Sequence, residues 1–426
     1  MKTIAFVTLG CKLNFSESSY LSGIAEEMGY TRAKVSDRPD VVVINTCTVT
    51  GTADKQCRQV VRQTRNVAPD AMVIVTGCSV QLHPEQFSSI PGVDVVIGMA
   101  EKFKIKEYLE LPFKRDKALL VHSDISEEKT FHASWSKSDR TRCFLKIQDG
   151  CDYHCAYCAV PHARGQSRSD TIQGVLDNVK IIEQTDIHEV ILTGVNIGDF
   201  GTKNGESFLD LLIRLDKECN VSRIRISSIE PNLLNHEIIQ LVARSKRIMP
   251  HFHIPLQSGS DKVLQRMGRR YNTALFEERI SLIHEFIPAA CIAVDVIAGH
   301  PGETEEDFSD CLSFIKKMNV SSLHVFPYSE RENTRAVQMP DSVPPSVRSQ
   351  RSRDLRALST ELKNKFYQNN IGTKHTVLWE SRNDKGFMYG FTENYLKVRQ
   401  PFQTSSINQI TEVTIKSADG ECCTIE

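Results

Sequence analysis

Between Phe144 and Phe326, short apolar runs alternate with stretches of helical spacing. The runs are Phe144–Ile147, Val190–Leu192, Arg223–Ser227, Phe252–Leu256, Ile292–Ile297 and Leu323–Phe326. The helical patterns are Ile172–Gln184, Phe208–Lys217, His236–Ala243, Thr273–Phe286 and Glu305–Met318. Parallel strands need a crossover between them, and a helix is the usual one. Repetition of this unit predicts a partial (β/α)6 barrel. Capping supports two of the helices: Thr304 precedes Glu305-Glu306-Asp307, and Asn272 precedes a stretch that stops before Pro288.

Chemistry on such a barrel collects on the loops after the strands. The unusual residues of this chain fall there. Gly150-Cys151-Asp152-Tyr153-His154-Cys155-Ala156-Tyr157-Cys158 follows the first run, and Thr193-Gly194-Val195-Asn196 the second. Ser228-Ile229-Glu230-Pro231, Gln257-Ser258-Gly259-Ser260, Gly299-His300-Pro301-Gly302-Glu303-Thr304 and Pro327-Tyr328-Ser329 follow the others. Each polar residue alone reads as a satisfied cap or turn; six loops at one mouth read as a site. Iron–sulfur clusters are held by cysteine thiolates, normally four. Three at a C-x3-C-x2-C spacing can hold three irons of a cubane and leave the fourth open to a small chelating molecule. The alternatives are structural zinc, with His154 or His162 completing a Cys3His set, and unrelated core cysteines.

From Thr3 to about Leu111 a second alternation implies a parallel sheet with crossover helices. Strands are expected at Ile4–Leu9, Val41–Asn45, Val73–Thr76 and Val93–Ile97, with helices at Ser16–Met28 and Asp54–Asn66. Their continuous Val/Ile content suits burial on both faces. A cysteine follows each of the first three strands: Cys11, Cys47 and Cys78. Ligands of an open α/β sheet bind beyond the carboxyl ends of its strands, so these three are expected to converge as a second thiolate set. Cys57, inside a predicted helix, reads as packing, as do Cys143, Cys219, Cys291, Cys311, Cys422 and Cys423. Thirteen cysteines without an export signal read as thiols and metal ligands in a reducing cytoplasm. No run approaches a membrane span, and a net charge of −1 leaves any basic surface local.

A polar segment from Pro112 to Arg142 reads as a linker, most loop-like from Ser123 to Asp139. Ser346–Tyr367 is a basic helix, read as a solvated face. Beyond Gly372, short β patterns at His375–Glu380, Phe387–Phe391, Tyr395–Val398, Ile410–Ile415 and Cys423–Ile425 predict a small OB-like β-barrel. There Lys374, Arg382, Lys385, Lys397 and Arg399 interleave with Phe387, Tyr389, Phe391 and Tyr395, a combination suited to RNA backbone contact and base stacking. The expected division is therefore 1–112, a linker 113–139, a core 140–368 and a carboxyl-terminal domain 369–426.

The Cys151/Cys155/Cys158 spacing, with Tyr157 before the last cysteine, resembles the signature of radical S-adenosylmethionine enzymes. Thr8-Leu9-Gly10-Cys11-Lys12-Leu13-Asn14 with Glu17-Ser18, Val43-Ile44-Asn45-Thr46-Cys47-Thr48-Val49-Thr50 and Val75-Thr76-Gly77-Cys78 look like the amino-terminal domain of methylthiotransferases. His253-Ile254-Pro255-Leu256-Gln257-Ser258-Gly259-Ser260, Arg266-Met267, Arg269-Arg270-Tyr271 and Gly302-Glu303-Thr304-Glu305 are close to the same family's pattern. Lys55-Gln56-Cys57-Arg58-Gln59-Val60-Val61-Arg62 is similar to the branch acting on threonylcarbamoyladenosine (t6A) in tRNA, apart from Cys57, where Ser is usual. His300 stands where the family often has Phe, and Asp152 where Asn is common. The carboxyl-terminal domain is similar to TRAM, an RNA-binding module.

The resemblance implies two [4Fe–4S] clusters, a radical-generating one on Cys151, Cys155 and Cys158 and an auxiliary one on Cys11, Cys47 and Cys78. It implies S-adenosylmethionine held by Gly194, Asn196, Ser228, Glu230, Gln257 and Arg266. The implied reaction cleaves S-adenosylmethionine to a 5′-deoxyadenosyl radical, abstracts hydrogen from adenosine C2 and transfers methylated sulfur from the auxiliary cluster. The implied substrate is t6A at position 37, in the anticodon loop of ANN-decoding tRNA. An electron donor such as flavodoxin or ferredoxin and a sulfur donor complete the expectation. Rival readings are an isopentenyladenosine tRNA or ribosomal-protein aspartate methylthiotransferase, and a non-catalytic RNA-binding protein with structural zinc.

Overall fold

The computed structural model describes residues 2–48, 51–111, 117–136 and 141–426. Val49, Thr50 and the expected boundaries at 112–113 and 139–140 lie outside them. The first sheet contains β1 (Thr3–Thr8), β2 (Thr31–Arg32), β3 (Val41–Thr46), β4 (Met72–Gly77), β5 (Val95–Ile97) and β6 (Leu119–Val121). They run parallel in the order β2-β1-β3-β4-β5-β6. Successive side chains of a strand point to opposite faces, so Val41 and Val43 feed one core while Val42 and Ile44 feed another. The helix Lys12–Glu27 covers the first face, packing Leu21 and Ala25, and the helix Gly51–Val67 covers the second with Cys57 and Val61. β6 falls in the stretch read as a linker. A three-residue apolar run carries too little periodicity to be read as a strand, and only pairing with β5 makes it one.

The central region adds β7 (Ser134–Trp135), β8 (Arg142–Lys146), β9 (Gln148–Asp149), β10 (Arg168–Ser169), β11 (Glu189–Thr193), β12 (Arg223–Ile226), β13 (His251–Gln257), β14 (Cys291–Ala298) and β15 (Ser322–Pro327). β8, β11 and β12 pair in parallel, as do β13, β14 and β15. Bridges Ile224↔Ile248 and Ser228↔His253 join the two groups. The result is the expected open barrel of six parallel strands, its helices packed around it over one large apolar core.

The long helix Pro345–Gln368 lies against β15, burying Leu355, Leu358 and Leu362. It is not the solvated face the sequence suggests. Arg348 and Arg351 are buried, each held by a carboxylate: Glu330 at 2.6 Å and Glu303 at 2.7 Å. A guanidinium can leave water when carboxylates satisfy its fork of donors, and those partners are remote in sequence.

Strands β16 (Lys374–Trp379), β17 (Phe387–Thr392), β18 (Lys397–Pro401), β19 (Ile410–Ala418) and β20 (Cys423–Ile425) close into a small barrel in the order β16-β17-β18-β20-β19. Val377, Trp379, Met388 and Val398 fill it. It is fastened to the amino-terminal ends of the central strands. Arg223 donates to the Phe391 carbonyl at 3.0 Å and the Thr376 carbonyl at 2.6 Å. Arg142 donates to Glu380 at 2.7 Å and to the Tyr395 hydroxyl at 3.2 Å. The rings of Phe391 and Tyr395 stack at 4.8 Å, with the Arg142 guanidinium 4.6 Å from Phe391 and Tyr395 against His251. Both aromatics, expected to serve RNA bases, are thus spent on the internal joint. Phe387 with Arg399, and Tyr389 with Lys397, remain on the outer face.

Candidate active site

The three upstream cysteines stand at the carboxyl ends of adjacent strands: Cys11 after β1, Cys47 after β3, Cys78 after β4. The chain turns sharply before two of them. Gly10 has φ +98°, and a Cβ there would lie 2.5 Å from Cys47 Sγ; Gly77 has φ +105°, and its Cβ would strike the Thr46 carbonyl at 2.4 Å. Only glycine tolerates both the angle and the approach. Asn14 latches the turns together, its amide donating to the Leu9 and Thr46 carbonyls at 2.8 Å each. Burial pushes the Cys78 thiol up, with Arg164 opposing and Cys11 reinforcing the shift. Cys57 packs in the core as expected, and its Sγ also accepts from the Cys47 backbone N–H at 3.3 Å.

The second cysteine set occupies the loop after β8. Burial pushes the Cys151 thiol up to about 12, assisted by neighbouring Cys158 and Cys155. Three partly buried thiols that disfavour one another's ionisation are the donor set a cationic metal centre would relieve. Two hydrogen bonds point at these sulfurs: Tyr153 N–H to Cys151 at 3.4 Å and Arg269 Nη1 to Cys155 at 3.1 Å. Arg269 also pairs with Glu230, whose carboxyl burial pushes up against the arginine's pull. The sequence marks Arg269 only as part of a motif, and its contacts reveal what it does. Arg269→Ala is expected to slow S-adenosylmethionine cleavage about 10–100-fold, the usual cost of losing an outer-shell partner at a metal site. The check is the initial rate of 5′-deoxyadenosine formation, and a rate within twofold of wild type would refute this role.

The residues expected around S-adenosylmethionine take distinct positions. Gln148 accepts from the backbone of Val195 and Asn196 at 2.9 and 2.8 Å, fixing the loop that starts at Gly194. The Asn196 side chain is buried, and neither of its amide atoms has a partner among the described residues. An orphaned buried amide is costly unless a ligand completes it. Ser228 bridges to His253 at the seam of the two strand groups. A bulge between Pro255 and Gln257, with Gln257 at φ +64°, turns the glutamine into a cavity of about 200 Å3. Tyr157, Asp295, Ile297, Phe326 and Arg331 also line this cavity. Arg266 stands apart, against Gly302 and half-exposed 4.0 Å from Asp341.

Thr48 and the start of the helix Gly51–Val67 dock on residues of the cavity rim. Arg331 pairs with Asp54 at 2.5 Å and also donates to the Thr48 hydroxyl, next to Cys47, while Ser329 accepts from Gly51 N–H at 3.0 Å. Between the two cysteine sets lies a dry ionic knot. Glu17 is completely buried and receives Lys102 at 2.5 Å, Lys146 at 3.0 Å and Arg164 at 3.1 Å. Arg164 donates onward to Asn14 at 2.7 Å and to Asp149 at 2.9 Å. Asn14 belongs to the Cys11 turn and Asp149 precedes Gly150-Cys151, so one guanidinium spans both cysteine loops.

His300 is buried between the rings of Tyr157 and Tyr328, at 6.3 and 5.6 Å, and its Nε2 has no partner among the described residues. Burial lowers its pKa to about 4. The unfolded imidazole, near 6.5, therefore takes up its proton first, and stability is lost as pH falls below about 6.5. His300→Phe removes the unsatisfied nitrogen and is expected to stabilise the fold by about 1 kcal/mol at pH 7. The gain should widen at pH 5.5. Urea midpoints at the two pH values test it, and a destabilised variant would contradict the packing argument.

The fold and cysteine loop define a radical S-adenosylmethionine enzyme, and residues 145–315 match the radical SAM superfamily. Residues 3–98 match an uncharacterized protein family, UPF0004. The chain is 38% identical to the threonylcarbamoyladenosine tRNA methylthiotransferase MtaB of Bacillus subtilis, over 98% of this chain and 94% of that protein. It is 33% identical to the MtaB of Thermotoga maritima (99% and 96% covered). It is 30% identical to the tRNA-2-methylthio-N(6)-dimethylallyladenosine synthase of Pelotomaculum thermopropionicum (98% and 96% covered). The chain belongs to the tRNA methylthiotransferase family. Among solved structures, the radical S-adenosylmethionine methyltransferase TsrM of Kitasatospora setae shares the fold, with a TM-score of 0.57, 14% identity and coverage of 91% and 81%. Among the described residues, no helix is long and apolar enough to cross a membrane.

Proposed function

We propose that this enzyme converts N6-threonylcarbamoyladenosine at position 37 of ANN-decoding tRNA to its 2-methylthio derivative. The observation that carries the substrate is near-full-length likeness to MtaB proteins at 33–38% identity, against 30% for the dimethylallyladenosine synthases. In this reading Cys151, Cys155 and Cys158 hold one [4Fe–4S] cluster and Cys11, Cys47 and Cys78 a second. When bound, the first cluster with S-adenosylmethionine supplies a radical able to take hydrogen from adenosine C2, and the second carries the sulfur delivered there.

The chain's own residues do the positioning. Arg269 donates to Cys155 and holds the Glu230 carboxylate beside it. Asn196 presents its unpaired amide, and Gln257 is aimed into the cavity by its bulge. Gly194, Ser228 and, at the rim, Arg266 complete the S-adenosylmethionine contacts. Arg331 and Ser329 bind Thr48 and the start of the helix Gly51–Val67 at the cavity rim, which keeps water from the reacting carbon. The knot of Glu17 and Arg164 fixes the separation of the two cysteine loops. Residues 1–112 are the auxiliary-cluster domain, 140–368 the radical core and 369–426 a TRAM-type module that reads RNA through Phe387, Tyr389, Lys397 and Arg399. A flavodoxin or ferredoxin delivers the electron, and a separate donor replaces the sulfur.

Nucleoside mass spectrometry of tRNA from a deletion strain tests the substrate. The methylthio-threonylcarbamoyl nucleoside should vanish, with its unthiolated precursor accumulating. Its persistence, with loss of the methylthio-isopentenyl nucleoside, would transfer the enzyme to the sister branch.

A further inference from the structure

Three side chains project from neighbouring central strands into the barrel: His253 of β13, Asp295 of β14 and His324 of β15. The register places them together. Asp295 stands opposite His324 on one side and Pro255 on the other, and His253 is two residues before Pro255, on the same face. His253 Nε2 is 2.7 Å and His324 Nδ1 3.2 Å from one oxygen, Asp295 Oδ1, and the two nitrogens are 3.3 Å apart. None of the three belongs to either cysteine set or to the contacts drawn around S-adenosylmethionine.

The geometry points to a mononuclear divalent-metal site of the two-histidine, one-carboxylate type, separate from the iron–sulfur centres. Ligand distances of about 2.0–2.2 Å around tetrahedral zinc put donor atoms about 3.3 Å from one another. The two spacings that involve His324, 3.2 and 3.3 Å, meet that already, and the third, 2.7 Å between His253 and Asp295, needs a shift of a few tenths of an ångström. Imidazole nitrogens with a carboxylate select zinc or iron(II) over magnesium or calcium, which demand oxygen shells. Asp295 lines the mouth cavity and His324 is half-exposed, so a metal has an entry path. Three protein ligands on one side leave the other positions for water or a chelating oxygen ligand such as a carboxylate with a neighbouring hydroxyl.

The test uses the reconstituted holoenzyme, dialysed against micromolar zinc and assayed for zinc, iron and sulfide together. A single zinc per chain beyond the iron is expected, with a zinc-dependent rise in melting temperature. His324→Ala, at a half-exposed position, should weaken zinc binding at least about tenfold without changing the iron and sulfide count, and His324→Glu should recover part of it. No zinc uptake, or uptake that all of these variants leave unchanged, would overturn the site and leave a hydrogen-bonded triad. If His324→Ala misfolds, His253→Ala assayed for zinc, iron and sulfide together decides: lost zinc at an unchanged iron count supports the site, and unchanged zinc overturns it.

Discussion

Cys155→Ala is expected to abolish 5′-deoxyadenosine formation, whereas Cys47→Ala should leave that reaction largely intact and stop delivery of sulfur to tRNA. The two residues lie on loops that follow strands of different sheets. Cys155 lies on the loop after β8, in contact with Arg269, which holds Glu230 in turn. Losing its thiol removes a donor from the set around the cavity. Cys47 lies beyond β3, beside Cys57 and on the other cysteine set. Cys57 complicates the second result. Its sulfur is 3.3 Å from the Cys47 nitrogen, so it is the neighbouring thiol to remove as a control. The stringent form is therefore Cys47→Ala combined with Cys57→Ser. Mass spectrometry of both products decides the matter, and loss of both reactions in the Cys47 variants would argue against separate roles for the two sets.

Glu17→Gln is expected to cost about 3–5 kcal/mol of stability, the usual result of removing one partner from a buried ion network. Burial alone would raise the Glu17 carboxyl, but Arg164, Lys102 and Lys146 outweigh it and hold it far below the usual range. Burial pulls Lys102 down to about 8 even with Glu17 alongside. Glutamine would leave two ammonium groups and a guanidinium facing one another without water, and Asp149 cannot serve all three. Because the knot bridges β8 and the helix Lys12–Glu27, the damage should include loosening of the two cysteine loops. Denaturant unfolding measures the first effect, and the ratio of methylthiolated product to 5′-deoxyadenosine the second. A loss below about 1 kcal/mol would show that the knot tolerates a neutral centre.

The strand positions were legible because burial on both faces writes runs of Val and Ile into β3 and β4. The caps at Thr304 and Asn272 were legible too, and both side chains accept the expected backbone N–H. The strand-end rule likewise anticipated that Cys11, Cys47 and Cys78 would share one edge. Charged residues were harder to read. Glu17 and Arg164 are 147 positions apart, Arg351 and Glu303 are 48 apart, and nothing local distinguishes a buried guanidinium from a solvated one. Arg269 was hidden for the same reason, since its meaning lies in Cys155 and Glu230. Phe391 and Tyr395 look like their neighbours Phe387 and Tyr389 until the joint with Arg142 separates them.

That joint has a consequence for substrate choice. Arg142, Arg223 and Arg225 grip the small barrel through its carbonyls and through Tyr395, so the module does not hang from a tether. It behaves as the fixed arm of a caliper, whose other jaw is the cavity mouth. An RNA that touches the outer face of β17 and β18 can present to the mouth only a nucleotide at a set span from that grip. The span, as much as any pocket contact, would then single out one position in the loop.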